Sequence, residues 1–168
     1  MQLSAIAAVA DDLAIGRQGQ LLCHIPGDLP RFKSLTMGHT VIMGGNTFRT
    51  FPNGPLPHRR NIVITRTPQP AQQISPTTSL VFVSSPQEAL SLCKPHEESF
   101  IIGGGQIYQH FFPLLNQLYI THIHGTFPDA DAFFPSIERD AWRVSFREDH
   151  PASAHNPYPF SFTNYIRI

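Results

Sequence analysis

A chain of 168 residues with twelve Lys and Arg against twelve Asp and Glu has the size of one ordinary domain and no formal net charge, which excludes the basic excess that bulk nucleic-acid binding requires. Charged residues make up only 14%, and thirteen Phe with sixteen Pro describe an aromatic, loop-rich globule rather than a helical bundle. Two cysteines, Cys23 and Cys93, with no Cys-x-x-Cys spacing, exclude a disulfide scaffold and point to a reducing, cytoplasmic setting.

The apolar run over residues 3–10 ends in the small-residue pattern Ala8-Val9-Ala10. It has no basic start and is stopped by Asp11-Asp12, so it reads as a buried first strand and not as a secretion signal. No apolar run approaches the ~20 residues of a membrane span. Residues 11–27, with Gly16 and Gly19, are expected as a loop, and residues 28–37 as a helix with Pro30 in its tolerant first turn. A strand over 40–43 leads through Gly44-Gly45 into a brief helix over 46–51. Strands are expected at 61–65 and 80–83, then a helix from Pro86 to Cys93. A strand at 100–102 runs into Gly103-Gly104-Gly105 and a helix to about Phe112; after it only strands are expected, over 117–124, 142–148 and 160–168.

Apolar strands alternating with helices imply a parallel sheet covered on both faces, and the strand-only ending implies antiparallel additions at one edge. The expectation is an α/β fold: one three-layer domain over residues 1–168, with about eight strands, mostly parallel, and antiparallel C-terminal strands. Ligands should gather at the C-terminal ends of the parallel strands.

Two strand-to-helix junctions are glycine-rich, Gly44-Gly45-Asn46-Thr47 and Gly103-Gly104-Gly105-Gln106. Glycine lets backbone approach a ligand closely, and two such junctions in one sheet would grip a pyrophosphate from both sides; each is also an ordinary way to make a tight turn. Neither matches Gly-x-Gly-x-x-Gly or the Walker pattern. Asp28 is a lone carboxylate among Ile25, Leu29 and Phe32. It reads either as a helix N-cap or as a carboxylate in an apolar pocket, its pKa raised, gripping a flat ring that carries N–H groups. Arg59, within His58-Arg59-Arg60, suits a ligand carboxylate, with a solvated turn as the plainer alternative. His122 and His124 share a strand face without a third ligand, so no metal site is expected. No Gly-x-Ser-x-Gly elbow supports a covalent hydrolase, and Cys23 beside His24 reads as a packed loop cysteine.

Taken in order, these segments resemble dihydrofolate reductase along essentially the whole chain. The matches are Ile6-Ala7-Ala8, Ala14-Ile15-Gly16, Ile25-Pro26-Gly27-Asp28-Leu29 with Phe32-Lys33, and Val41-Ile42-Met43-Gly44 with Thr47-Phe48. They continue with Pro55-Leu56-Pro57-His58-Arg59-Arg60-Asn61, Ile101-Ile102-Gly103-Gly104-Gly105-Gln106-Ile107-Tyr108, Leu118-Tyr119-Ile120-Thr121, and Asp131 with Phe133-Phe134-Pro135.

The resemblance implies reduction of 7,8-dihydrofolate to tetrahydrofolate by NADPH for one-carbon metabolism, in a monomer open to antifolates and needing no metal, nucleic acid or membrane. In it Asp28 matches the carboxylate that holds the pterin 2-amino group and N3, and Thr121 its support. Ile6 and Ile102 match backbone carbonyls at the 4-amino position of antifolates, and Leu29 and Phe32 the pocket walls. Tyr108 lies where both ligands meet, and Arg59 matches the clamp on the glutamate α-carboxylate. Ala8, Asn46, Thr47, Gly44, Gly45 and Gly103 through Ile107 match the NADPH site. The family's mobile loop falls on residues 16–22, which puts Leu21 in the catalytic set and Ile15, Gly16 and Gln20 in the cofactor set, with Asp131 as the loop's distant contact.

Three positions depart from the family pattern. Leu21-Leu22-Cys23 replaces Leu-Pro-Trp; Gly45 replaces an arginine that meets the adenosine 2′-phosphate; Gln106 replaces a frequent Arg or Lys. Arg66, beside Thr65, is the expected replacement cation. Two other functions fit less well. Asp28 and Arg59 suit a pterin and a glutamate better than the pyrimidine of riboflavin synthesis, and Asp28, Thr121 and the triple glycine together disfavour a non-catalytic binding module.

Overall fold

The computed structural model describes all 168 residues. Strand β1 (Gln2–Ala10) is followed by the short strands β2 (Ala14–Arg17) and β3 (Gln20–Leu21) and then by helix α1 (Asp28–Thr36). Next come β4 (Thr40–Gly44), α2 (Gly45–Arg49), β5 (Arg60–Ile64), β6 (Gln72–Ser75) and β7 (Thr78–Val83). α3 (Pro86–Ser91), β8 (Glu98–Ile101) and α4 (Gly105–Phe111) follow, with a 3-10 turn over Phe112–Leu114. The remainder is strand only: β9 (Gln117–Ile123), β10 (Ala132–Phe133), β11 (Trp142–His150) and β12 (Phe160–Arg167).

Nine strands form one sheet in the order β11-β12-β9-β1-β8-β4-β5-β7-β6. From β9 to β7 all neighbours run parallel. β12 and β11 at one edge and β6 at the other are antiparallel additions. Side chains alternate between faces along each strand. Ile6, Val41, Met43 and Val63 point to the face covered by α1 and α2, where Phe32, Leu35 and Phe48 pack against them. Ala5, Ile42, Ile62 and Ile101 point to the opposite face, against Ala89 of α3 and Tyr108 and Phe111 of α4. Burying one such side chain fully, as for Phe111 or Ile42, is worth roughly 1.5–3 kcal/mol, so the three layers are held mainly by this apolar contact. No helix is long and apolar enough to cross a membrane.

Apart from shifts of one or two residues at helix ends, such as α2 at Gly45–Arg49 and α3 ending at Ser91, the structure departs from expectation in three places. The main sheet has nine strands, not about eight, because the polar segment Gln72–Ser75 pairs with β7 as an exposed edge strand. Residues 11–27 are not simply a loop: β2 pairs with both β3 and β10, making a second, three-stranded sheet. Its partner β10 lies more than a hundred residues downstream in sequence, so no local pattern announces it. Finally, β5 ends at Ile64, one residue earlier than expected, which leaves Thr65 and Arg66 just beyond the strand.

Candidate active site

The N-cap reading of Asp28 does not hold. Gly27 occupies the cap position with φ 82°, a left-handed conformation suited to glycine, and no side chain caps α1. Asp28 is instead the first helical residue, and its carboxylate accepts a 2.6 Å hydrogen bond from the hydroxyl of Thr121 on β9. The sheet register explains the meeting: Thr121 pairs with Ala8 of β1, near the C-terminal ends of both parallel strands. Thr121 is fully buried and Asp28 is partly buried. Burial pushes the Asp28 carboxyl above its usual range; the Thr121 hydrogen bond and the nearby Arg31 and His24 charges oppose that only in part.

Around this pair the expected pocket residues converge unevenly. Ile6 on β1 is buried, and its carbonyl accepts a 2.6 Å bond from the hydroxyl of Tyr108, which still leaves the carbonyl a second lone pair. Burial holds the Tyr108 phenol protonated by pushing its pKa well up, with the negative charge of Asp28 adding to the effect. Phe32 packs against the sheet from α1, with Ile102 on the same cluster. Leu29 is 58% exposed on the first turn of α1, where its side chain remains free to contact a ligand. Leu21 is 65% exposed on β3.

That loop is tied down from afar. The amide of Gln18 donates to Asp131 at 2.9 Å, and the amide of Asp131 donates to the Gly16 carbonyl at 3.1 Å. Arg17 and Asp129 form a 2.6 Å ion pair beside them. Ile15 is half-buried and Gly16 fully buried within β2, while Gln20 is exposed. Cys23 is partly buried against the apolar cluster that includes Leu22 and Ile25, and burial raises its thiol pKa, as in a packed loop cysteine.

Arg59 is only 5% exposed. Its Nε donates to the Pro57 carbonyl at 2.8 Å and Nη1 to the Thr36 hydroxyl at 3.1 Å. It has no carboxylate partner, and desolvation alone depresses its pKa. A buried guanidinium held by two hydrogen bonds is not a solvated turn.

The two glycine junctions lie side by side. The Gly44 amide donates to the Gly103 carbonyl at 2.9 Å, and Gly103–Gly104 is a cis peptide. Gly103 has φ 125°, which other residues rarely adopt. A Cβ on Gly44 would stand 3.1 Å from Ile107, tighter than most such contacts, and one on Gly104 would stand 3.5 Å from the hydroxyl of Thr47. Gly105 backs onto Phe133, while Gln106 and Asn46 are exposed and Ala8 is half-buried between the strands. The result is a cradle walled by backbone and one hydroxyl, which fits the pyrophosphate and nicotinamide parts of NADPH. Arg66 is exposed and holds no partner. The sequence reading missed Arg49, whose side chain crosses Gly45 one helical turn earlier; the signal was the i, i+4 spacing, which puts both on one helix face.

His122 and His124 each bond a hydroxyl on β12, Tyr165 and Ser161, both at 2.7 Å. No group of three His, Cys, Asp or Glu side chains converges as a metal site would.

A partly buried acid with raised proton affinity, set beside a glycine-walled dinucleotide cradle at the carboxyl ends of parallel strands, defines the class: an α/β reductase of a small heterocycle. The sequence model of the family described as dihydrofolate reductase matches residues 2–167. The dihydrofolate reductase of Neisseria gonorrhoeae is 39% identical over 166 residues, covering 99% of this chain and 98% of the relative. That of Bacillus subtilis is 37% identical over 163 residues, 97% of this chain and 93% of the relative. The structure of dihydrofolate reductase from Enterococcus faecalis complexed with NADP(H) and RAB-propyl superimposes with a TM-score of 0.81 at 31% identity, covering 99% of this chain and 96% of that one. The chain belongs to the dihydrofolate reductase family.

Proposed function

We propose that this chain, working as one domain, reduces 7,8-dihydrofolate to 5,6,7,8-tetrahydrofolate with NADPH and so supplies one-carbon metabolism. The observation that carries the reading is the Asp28–Thr121 pair, the one arrangement in the cleft suited to a protonated, N–H-bearing ring. Asp28 receives the pterin 2-amino group and N3, and its desolvated charge favours a proton on N5. Thr121 fixes the carboxylate in the plane of that ring. Leu29 and Phe32 flank the pterin and benzoyl rings, Arg59 clamps the glutamate α-carboxylate, and the carbonyls of Ile6 and Ile102 would accept from the 4-amino group of a bound antifolate. NADPH, when bound, supplies hydride to C6. The glycine junctions, with Ala8, Thr47 and Tyr108, would hold its nicotinamide half, and the Gly16–Leu22 loop excludes water from the cleft.

The free cysteines support the cytoplasm as the place of work, and a sheet whose two faces are covered by the chain's own helices supports a monomer. Antifolates that mimic the pterin would occupy the Asp28 pocket. The direct test is loss of reduced-nicotinamide absorbance in the presence of dihydrofolate. Turnover with dihydrofolate and NADPH is expected; binding of both without turnover would overturn the reading.

A further inference from the structure

We propose that Arg49 is the residue through which this chain recognises the 2′-phosphate of NADPH and discriminates against NADH; the inference rests on the cofactor reading above. In the family pattern the residue after Gly44 brings a cation to that phosphate, and here it is glycine. The space is not left to solvent. A Cβ placed on Gly45 would lie 3.3 Å from Nη1 of Arg49 and 3.5 Å from the hydroxyl of Thr65. The guanidinium therefore folds back along α2 to the spot from which a side chain at 45 would start, and the Thr65 hydroxyl borders that spot.

Arg49 has no carboxylate to neutralise it. Its Nη2 donates to the Asn46 side-chain amide, a neutral acceptor that orients the fork without cancelling its charge. Thr65 is held in turn by Thr67, whose amide donates to its hydroxyl at 3.3 Å. An uncompensated planar cation beside a positioned hydroxyl, at the outer end of a dinucleotide cradle, is chemistry for a phosphate monoester. The 3.3 Å separation is tighter than most Cβ contacts, so a side chain at 45 would press on the guanidinium and shift it by a few tenths of an ångström. Arg66, in contrast, is exposed beyond the end of β5 and is oriented by nothing.

The test is calorimetric measurement of dissociation constants for NADPH and NADH, with adenosine 2′,5′-bisphosphate and 5′-AMP as fragments, on the wild-type protein and on Arg49→Ala, Arg66→Ala and Gly45→Arg/Arg49→Ala. Arg49→Ala is expected to weaken NADPH and the bisphosphate by about tenfold, the lower end for a charge-assisted contact at an exposed site, and to leave NADH and 5′-AMP within about twofold. Arg66→Ala should change the ratio far less, and the double variant should recover the preference through the family's usual position. An unchanged NADPH-to-NADH ratio in Arg49→Ala overturns the assignment, as does equal weakening of both nucleotides. A wild-type protein that binds both nucleotides equally overturns the NADPH preference itself, and the assignment with it; that result appears before any variant is compared, so the two failures are distinguishable.

Discussion

The hydroxyl of Thr121 donates to the carboxylate of Asp28 across 2.6 Å, linking the start of α1 to β9, the sheet strand beside β1. Its consequence is electrostatic. Desolvation raises the proton affinity of Asp28, and this bond is the largest of the effects that hold it down. The pair therefore sets the proton affinity at which the acid operates as well as its orientation.

Removing the hydroxyl should move that balance. Thr121→Val leaves the carboxylate without its donor, and a bond of this charged kind is worth roughly 1.5–3 kcal/mol. The expected result is a fall in kcat/KM for dihydrofolate of about tenfold or more, with the apparent pKa of the pH–rate profile shifted upward. Thr121→Ser, which restores the donor, should recover both; a Ser variant as poor as Val would assign the loss to packing.

Arg59 anchors the other end of the substrate. Arg59→Lys keeps the charge but loses the planar fork, so KM for dihydrofolate should rise by about tenfold or more while kcat changes little. Affinity for a small antifolate without a glutamate tail should hardly change. Equal weakening of both ligands would show that the contacts to Pro57 and Thr36 had been broken instead.

Much of this was legible in the sequence. The alternation of apolar strands with glycine junctions gave the parallel core, and the isolation of Asp28 among apolar neighbours marked it before its partner was known. What stayed hidden depends on distant pairing. β2 gains β10 as its second partner only because residues 131–133 return to it, and β6 is a strand only because β7 lies beside it. The resemblance and the strand end pointed to Arg66 as the cation beside the cofactor. They could not show that the bare backbone of Gly45 lets Arg49 lie across it.

Asp28 should lower stability while it serves the reaction. Because its folded pKa lies above the unfolded value, the native state binds the proton more tightly. Stability is therefore lost as pH rises from the unfolded carboxylate value, near 3.9, through the folded one. Asp28→Asn keeps an oxygen for the Thr121 hydroxyl and removes the buried charge. Its urea midpoint should exceed that of the wild type near neutral pH, and the difference should vanish below the unfolded pKa. A lower midpoint at neutral pH would contradict the direction assigned to this shift.

The most direct measurement is the turnover of Asp28→Asn with dihydrofolate and NADPH as a function of pH. A loss of order 10²-fold or more is expected near neutral pH, because the charge that favours the N5 proton is gone. The deficit should narrow as pH falls and solvent protonates the substrate unaided. Near-wild-type turnover across the whole range would contradict the account and leave Asp28 as no more than an acidic first-turn residue of α1.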